Sequence, residues 1–281
     1  MKVGDFMFKK LFQNLKKNKN TTNSAKQQKP VLFCVHGFGR RCKHEFDNLV
    51  RWGNEDGYRV VTFNMYDLFD ENDCDWMMWL QRARHQLEET LKESSNIVII
   101  GFSMGGVIAS YLATLYQPQK LILIAPAFAY ISPDTFAHQI SNKAKQLIKP
   151  KEEVQEDFDI SLPKSFYPTF VEIIKQLRKY IFKVGCPVLL LHGDADEIIS
   201  IKSSYYAYEA IPHQQKRLYM IHGGTHRLLK ESPLNEDVYT MIKSFLNDDI
   251  ICHTPRVNCE DVLPALYAEK LRRCKKDESS Q

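Results

Sequence analysis

No apolar run in this chain approaches the ~18–20 residues that a membrane-spanning helix requires, so no span is predicted. The N-terminus is basic but lacks an uninterrupted apolar core followed by a small-residue cleavage site, and no secretory signal is expected. The seven cysteines (Cys34, Cys42, Cys74, Cys186, Cys252, Cys259 and Cys274) include no Cys-x-x-Cys pair, and their number is odd. That argues against a disulfide framework or a zinc site and for a reducing, cytoplasmic setting. Surplus positive charge is lacking in the body of the chain. Residues 1–30 hold eight lysines against Asp5, a net +7 in a chain of +4, so the remainder carries −3. A mildly acidic body does not point to nucleic-acid binding. No internal repeat is visible. With 281 residues, 44% hydrophobic and 26% charged, the chain has an ordinary globular balance and length enough for a deep core.

From Pro30 onward, strand and helix signals alternate. Strands are predicted at Val31–Val35, Tyr58–Asn64, Ile97–Ile100, Lys120–Ile124, Pro187–Leu191 and Arg217–Ile221. Helices are predicted near Glu45–Asn54, Trp76–Glu93, Gly106–Leu115, Ser203–Ala210 and Val238–Asn247. The strands are continuous apolar runs rather than alternating ones, which is the signature of a parallel sheet covered on both faces. Residues 128–184 interrupt the order. They carry Phe128, Tyr130, Phe136, Phe158, Phe166, Tyr167, Phe170 and Tyr180 without a clear strand. A helical insertion is expected there, with its aromatics roofing an apolar pocket or packing a small core of their own.

Two extensions flank the domain expected over residues 30–248. In residues 1–19, Phe8, Leu11, Phe12 and Leu15 fall at helical spacing between lysines, as in an amphipathic segment able to make weak peripheral contact with anionic lipid. A solvated basic arm is the blander alternative, and residues 20–29 read as a polar linker. Residues 249–281 form a C-terminal extension with one amphipathic stretch around Val262–Leu271.

The chemistry centres on Gly101-Phe102-Ser103-Met104-Gly105. A β-branched run precedes it and a helical pattern follows it. A serine at such a junction sits on a sharp turn that lifts its hydroxyl clear of the sheet. Serine needs a base to take its proton and a third group to orient that base. His226, in Gly223-Gly224-Thr225-His226, follows a strand on a glycine-rich loop. Nearby His222 is the competitor, but it stands at the strand end, where a structural role is expected. The acid should follow an earlier strand, and Asp194, Asp196 and Glu197 all qualify by chain order. Oxyanion donors are expected from the backbone N–H of Met104, next to the serine, and of Phe38, in the loop His36-Gly37-Phe38-Gly39 after the first strand. His36 is expected to brace that loop rather than to transfer protons.

His36-Gly37-Phe38-Gly39, Gly101-Phe102-Ser103-Met104-Gly105-Gly106, His192-Gly193-Asp194-Ala195-Asp196 and Gly223-Gly224-Thr225-His226 occur in the order found in the α/β-hydrolase superfamily. Over residues 30–248 the chain resembles small bacterial carboxylesterases and monoacylglycerol-lipase-like serine hydrolases. The resemblance implies an α/β-hydrolase fold, a mostly parallel sheet with helices on both faces and a small helical cap at about residues 128–184. It also selects the acid. The family pattern Gly-x-x-Asp-x-x-(Val/Ile) maps onto Gly193 to Ile199, and its fourth position is Asp196. The chain departs from the pattern at Ser200, where proline is frequent, and in the unusually basic loop Arg40-Arg41-Cys42-Lys43.

The expected activity is hydrolysis of a small-molecule carboxylic ester of small or medium acyl chain through an acyl-serine, with Ser103, Asp196 and His226 as triad. No metal or organic cofactor is expected. Thioesterase or acyltransferase chemistry on the same serine is the enzymatic alternative, and a membrane-peripheral monoacylglycerol lipase is another. A non-catalytic binding protein on the same fold is the alternative from a different class.

Overall fold

The computed structural model describes residues 29–128, 162–230 and 233–249. The segment expected at residues 1–19, the linker up to residue 28, residues 129–161 of the insertion and the C-terminal extension from residue 250 lie outside the described residues.

Six strands form one sheet: β1 (Val31–Val35), β2 (Arg59–Val61), β3 (Ile97–Phe102), β4 (Lys120–Ile124), β5 (Val188–Gly193) and β6 (Lys216–Ile221). Their order is β2-β1-β3-β4-β5-β6, and every neighbouring pair is parallel. The helices are α1 (Asp47–Glu55), α2 (Trp76–Glu93), α3 (Met104–Tyr116), α4 (Phe166–Leu177), α5 (Lys202–Ala210) and α6 (Leu234–Leu246). Short 3-10 turns at Cys42–Phe46 and Arg178–Lys183 precede α1 and follow α4.

The continuous apolar runs in β1, β3, β4 and β5 are explained by burial on both faces. Phe33, Val35, Ile99, Leu121, Leu123 and Leu190 point into one core with Trp79 of α2, Val107 and Leu112 of α3 and Phe170 of α4. Their neighbours Leu32, Cys34, Ile100, Ile122, Ile124 and Leu191 point into a second core with Leu49 of α1 and Val238, Ile242 and Phe245 of α6. Alternate side chains of each strand thus serve opposite layers, and each full burial of a Leu, Ile or Phe contributes about 1.5–3 kcal/mol. Helix α3 lies directly beneath the sheet centre and is buried at most of its positions.

β2 is shorter than the predicted Tyr58–Asn64, and the reason is local. Beyond Val61 the chain leaves the ladder: Phe63 stacks on Phe33 (5.3 Å between centroids) and the Met65 N–H donates to His36 Nε2 (2.9 Å). The described part of the insertion also departs from one of the two expected forms. Phe166, Phe170, Ile173 and Leu177 of α4 are buried in the main core on the α2–α3 face rather than in a separate small core. Tyr180 meets Tyr111 of α3 edge-on at 4.7 Å. Among the described residues no helix is long and apolar enough to cross a membrane. Cys34, Cys42, Cys74 and Cys186 are free thiols.

Candidate active site

Because all the strands run the same way, the loops that follow β1, β3, β5 and β6 open on one edge of the sheet. Those loops carry His36–Gly39, Ser103, Asp196 and His226. This is the edge where open parallel sheets place their ligands.

Ser103 is the single residue between β3 and α3, and it takes φ 53° and ψ −121°. A non-glycine residue holds that conformation only when its surroundings enforce it. Here the Ser103 N–H donates to Ile124 O (2.9 Å), and its carbonyl accepts from Gly106 N (3.0 Å) and Ala127 N (3.1 Å). The turn is closed from the other side by Gly105, where a Cβ would stand 2.1 Å from Val35 O. Only glycine lets α3 start so close to the end of β1.

The loop after β1 lies against the serine: a Cβ on Gly37 would be 2.9 Å from Ser103 Cβ. Two side chains hold the loop. His36, fully buried, places Nδ1 2.8 Å from Gly37 O and accepts the Met65 N–H at Nε2. Nδ1 therefore carries the proton and the ring is neutral; burial pushes its pKa down to about 4. The Tyr66 hydroxyl accepts from Gly39 N and donates to Gly39 O (both 2.8 Å), with Gly37 O at 3.3 Å. Burial holds that phenol well above its ordinary pKa, so it remains protonated. Phe38 packs against Phe170 (5.1 Å) and Tyr167 (5.3 Å) of α4 and against Trp79 of α2 (6.5 Å). Helix α4 thus brings the insertion's aromatics onto the expected oxyanion loop. Met104 begins α3 with its side chain fully buried, so its N–H belongs to the helix N-terminus, where partial positive charge gathers.

The two histidines and two of the three acids weighed from the sequence form two separate pairs. His226 Nδ1 lies 2.8 Å from Asp196 Oδ2, with the His226 side chain 10% exposed and that of Asp196 0%. His222 Nδ1 lies 2.9 Å from Asp194 Oδ2, with side chains 100% and 40% exposed. The first pair is inside the molecule and the second is on its surface. Asp194 also accepts from Gly223 N (2.7 Å), so it ties the loop after β5 to the loop after β6. The Ala195 N–H donating to Gly224 O (3.0 Å) makes a further tie. The His222 hydrogen bond, with that from Gly223, lowers the Asp194 pKa.

Burial alone would raise the Asp196 pKa; hydrogen bonds from His192 and His226 outweigh it and hold the carboxyl well below the usual range. Oδ1 accepts the N–H groups of Ile198 and Ile199, both at 2.8 Å. The carboxylate is therefore ionised and fixed in orientation. His226 must donate its Nδ1–H to it, which leaves Nε2 as the free base. The His226 ring also lies 4.9 Å from that of Phe102, the residue before Ser103, and the His226 backbone N–H donates to Glu197 Oε2 (3.3 Å). This loop architecture brings Ser103, Asp196, His226, Phe38 and Met104 to one edge of the sheet.

His192 and Tyr66 were not singled out from sequence. His192 stands inside a quoted motif, at the last inward position of β5. Tyr66 follows a predicted strand end by two residues, with nothing local to mark it.

Among proteins similar to this chain, the monoglyceride lipase of Rattus norvegicus is 21% identical over 248 residues, covering 73% of this chain and 78% of that protein. Lipase 1 of Psychrobacter immobilis is 25% identical over 217 residues, covering 66% and 68%. The structure of a soluble variant of monoglyceride lipase from Saccharomyces cerevisiae, in complex with a substrate analogue, superposes with a TM-score of 0.63 at 18% identity, covering 81% of this chain and 89% of that one. The likeness shows the α/β-hydrolase fold. The family model for serine aminopeptidase, S33, matches residues 75–165 and 160–233, more than half of the chain, and the chain belongs to that family of hydrolases.

Proposed function

We propose that the protein is a serine hydrolase that cleaves carboxylic esters of small or medium acyl chains through an acyl-Ser103 intermediate. The observation that carries this reading is the buried, ionised Asp196 bonded to His226 Nδ1 at 2.8 Å, on the same sheet edge as a serine at φ 53°. His226 Nε2 takes the Ser103 proton as Oγ attacks the ester carbonyl. The carbonyl oxygen becomes an oxyanion, stabilised by the N–H groups of Phe38 and Met104. Asp196 stabilises the His226 imidazolium without taking its proton. His226 then protonates the leaving alcohol as the C–O bond breaks. Water, deprotonated by the same nitrogen, attacks the acyl-serine, and collapse of the second tetrahedral intermediate returns the proton to Ser103 and releases the acid. Every proton is handled by residues of this chain.

A monoacylglycerol-lipase reading is favoured by two of the relatives, a monoglyceride lipase and a lipase by name. It is also favoured by exposed apolar side chains at Phe69, Met77 and Met78. In that reading the basic segment 1–19 adds weak contact with an anionic lipid surface. Hydrolysis of p-nitrophenyl esters from acetate to palmitate, by wild type beside Ser103→Ala, tests both. A Ser103-dependent optimum at short or medium chains supports the first reading, and a palmitate optimum supports the second. Turnover unchanged in Ser103→Ala overturns both.

A further inference from the structure

Asp196 has a second histidine on it. His192, at the end of β5 and 0% exposed, places Nε2 3.1 Å from Asp196 Oδ2, the same oxygen that meets His226 Nδ1 at 2.8 Å. His192 Nε2 also lies 3.0 Å from Ile199 O, and its Nδ1 lies 2.6 Å from Ser204 Oγ on α5. A carbonyl and an ionised carboxylate can only accept, so Nε2 carries the proton. Nδ1 in the neutral ring is then an acceptor, and the Ser204 hydroxyl supplies the donor. One imidazole therefore holds the acid, and the Ser204 hydroxyl satisfies that imidazole's other nitrogen.

The geometry points to His192 as a positioning residue that shares Asp196 Oδ2 with His226 and thereby sets how strongly the acid stabilises the His226 imidazolium. This rests on the reading of Ser103, Asp196 and His226 as triad. Oδ1 is pinned independently by the N–H groups of Ile198 and Ile199. Removing His192 therefore leaves the carboxylate oriented and gives all of the Oδ2 charge to His226. A carboxylate with one donor fewer holds a neighbouring positive charge more tightly, so the loss of His192 should strengthen the Asp196–His226 pair. Of the other titratable and charged groups nearby, Glu197 accepts the His226 N–H, Arg227 pairs with Glu45 at 3.5 Å, and Asp194 with His222 forms the outer pair. None of these contacts involves His192, so all are common to the variants compared.

The test is the pH profile of kcat/KM from pH 5 to 9 on p-nitrophenyl butyrate. It compares wild type, His192→Leu, which removes the donor, and His192→Gln, whose side-chain N–H can reach the same oxygen, with Ser103→Ala as background. The expected result is an acid limb displaced upward by about half to one pH unit in His192→Leu. That is roughly a three- to tenfold loss at pH 6 with little loss at pH 8.5. KM should be nearly unchanged, and His192→Gln should return the limb toward the wild-type position. A residue that only fills space would lower the melting temperature without moving the limb. A His192→Leu limb that coincides with wild type, or a His192→Gln limb that stays with His192→Leu, overturns the proposal. A readout that needs neither activity nor a stable variant is the nitrogen-15 spectrum of the wild-type histidines at pH 7. It should show His192 protonated at Nε2 and bare at Nδ1, and the reverse tautomer or an imidazolium overturns the proposal. Should Ser103→Ala retain the wild-type rate, the triad reading fails while the tautomer result still stands by itself.

Discussion

The backbone of Ser103 is in a conformation that L-residues avoid, at a cost of about 1–3 kcal/mol. The cost is sustained by the hydrogen bonds of its N–H and carbonyl to the ends of β4 and α3. Relief of that strain is measurable. Ser103→Gly should abolish ester hydrolysis yet unfold at equal or higher urea concentration, by about 1 kcal/mol once the entropy of the added glycine is set against the strain. A clear loss of stability would mean that the serine side chain contributes more than its backbone costs. The separation of the two Asp–His pairs gives a second prediction at this scale. Asp196→Asn removes the group that fixes the His226 tautomer and should lower kcat/KM by roughly 10³–10⁴-fold, whereas Asp194→Asn, on the surface, should change it by less than about threefold. Equal losses in the two variants would overturn the assignment of Asp196 as the acid.

At the scale of elements, the proposed oxyanion loop depends on what holds it. The Tyr66 hydroxyl bonds both the N–H and the carbonyl of Gly39, and Tyr66→Phe leaves those groups without that partner. A drop in kcat of about 10- to 100-fold with KM nearly constant is expected on the p-nitrophenyl butyrate assay. A change in KM alone would place Tyr66 in substrate binding instead. Helix α6 has a comparable tie: the buried Lys120 Nζ donates to Phe245 O (2.7 Å) and Leu246 O (2.8 Å) and meets Asp248 at 2.7 Å, so it caps the helix C-terminus. Elements of this kind divide into those legible in the sequence and those not. β1, β4 and α2 match their predicted bounds because each is fixed locally, by a continuous, largely apolar run or, for α2, by Asp75 capping the first turn at Met77 N. β2 was overestimated because its end is set by His36, from another strand's loop. The Ser103 turn was legible for the same local reason as β1. The choice between Asp194 and Asp196 was not legible from spacing. It depends on which carboxylate is drawn inward by two backbone N–H groups and a histidine on β5, a matter of three-dimensional burial. His192 and Tyr66 were missed on the same ground.

For the whole molecule, the same burial makes stability depend on pH in a definite direction. His36 is fully buried and neutral, one nitrogen donating to Gly37 and the other accepting from Met65. Its pKa in the folded state is about 4, against an ordinary value near 6.5 in the unfolded chain. Above pH 6.5 the ring is neutral in both states and contributes no penalty. As pH falls from about 6.5 toward 4, the unfolded chain binds a proton that the folded one refuses, so stability falls, by up to roughly 3 kcal/mol at full effect. Asp196, whose folded pKa is depressed, acts in the same sense at lower pH. Its contribution is present above the unfolded carboxylate range near 4 and is lost as pH falls further, through its depressed value. The two windows adjoin, so acid should unfold the protein progressively rather than at a single step. Urea midpoints measured at half-unit intervals should be level from pH 8 to 7 and decline from about pH 6.5 downward. His36→Gln, which cannot titrate, should flatten the decline between pH 6.5 and 4.5 while leaving the steeper fall below pH 4. A wild-type midpoint that stays constant to pH 5 would mean that His36 is protonated with little penalty inside the fold, and the neutral brace assigned to the proposed oxyanion loop would have to be abandoned.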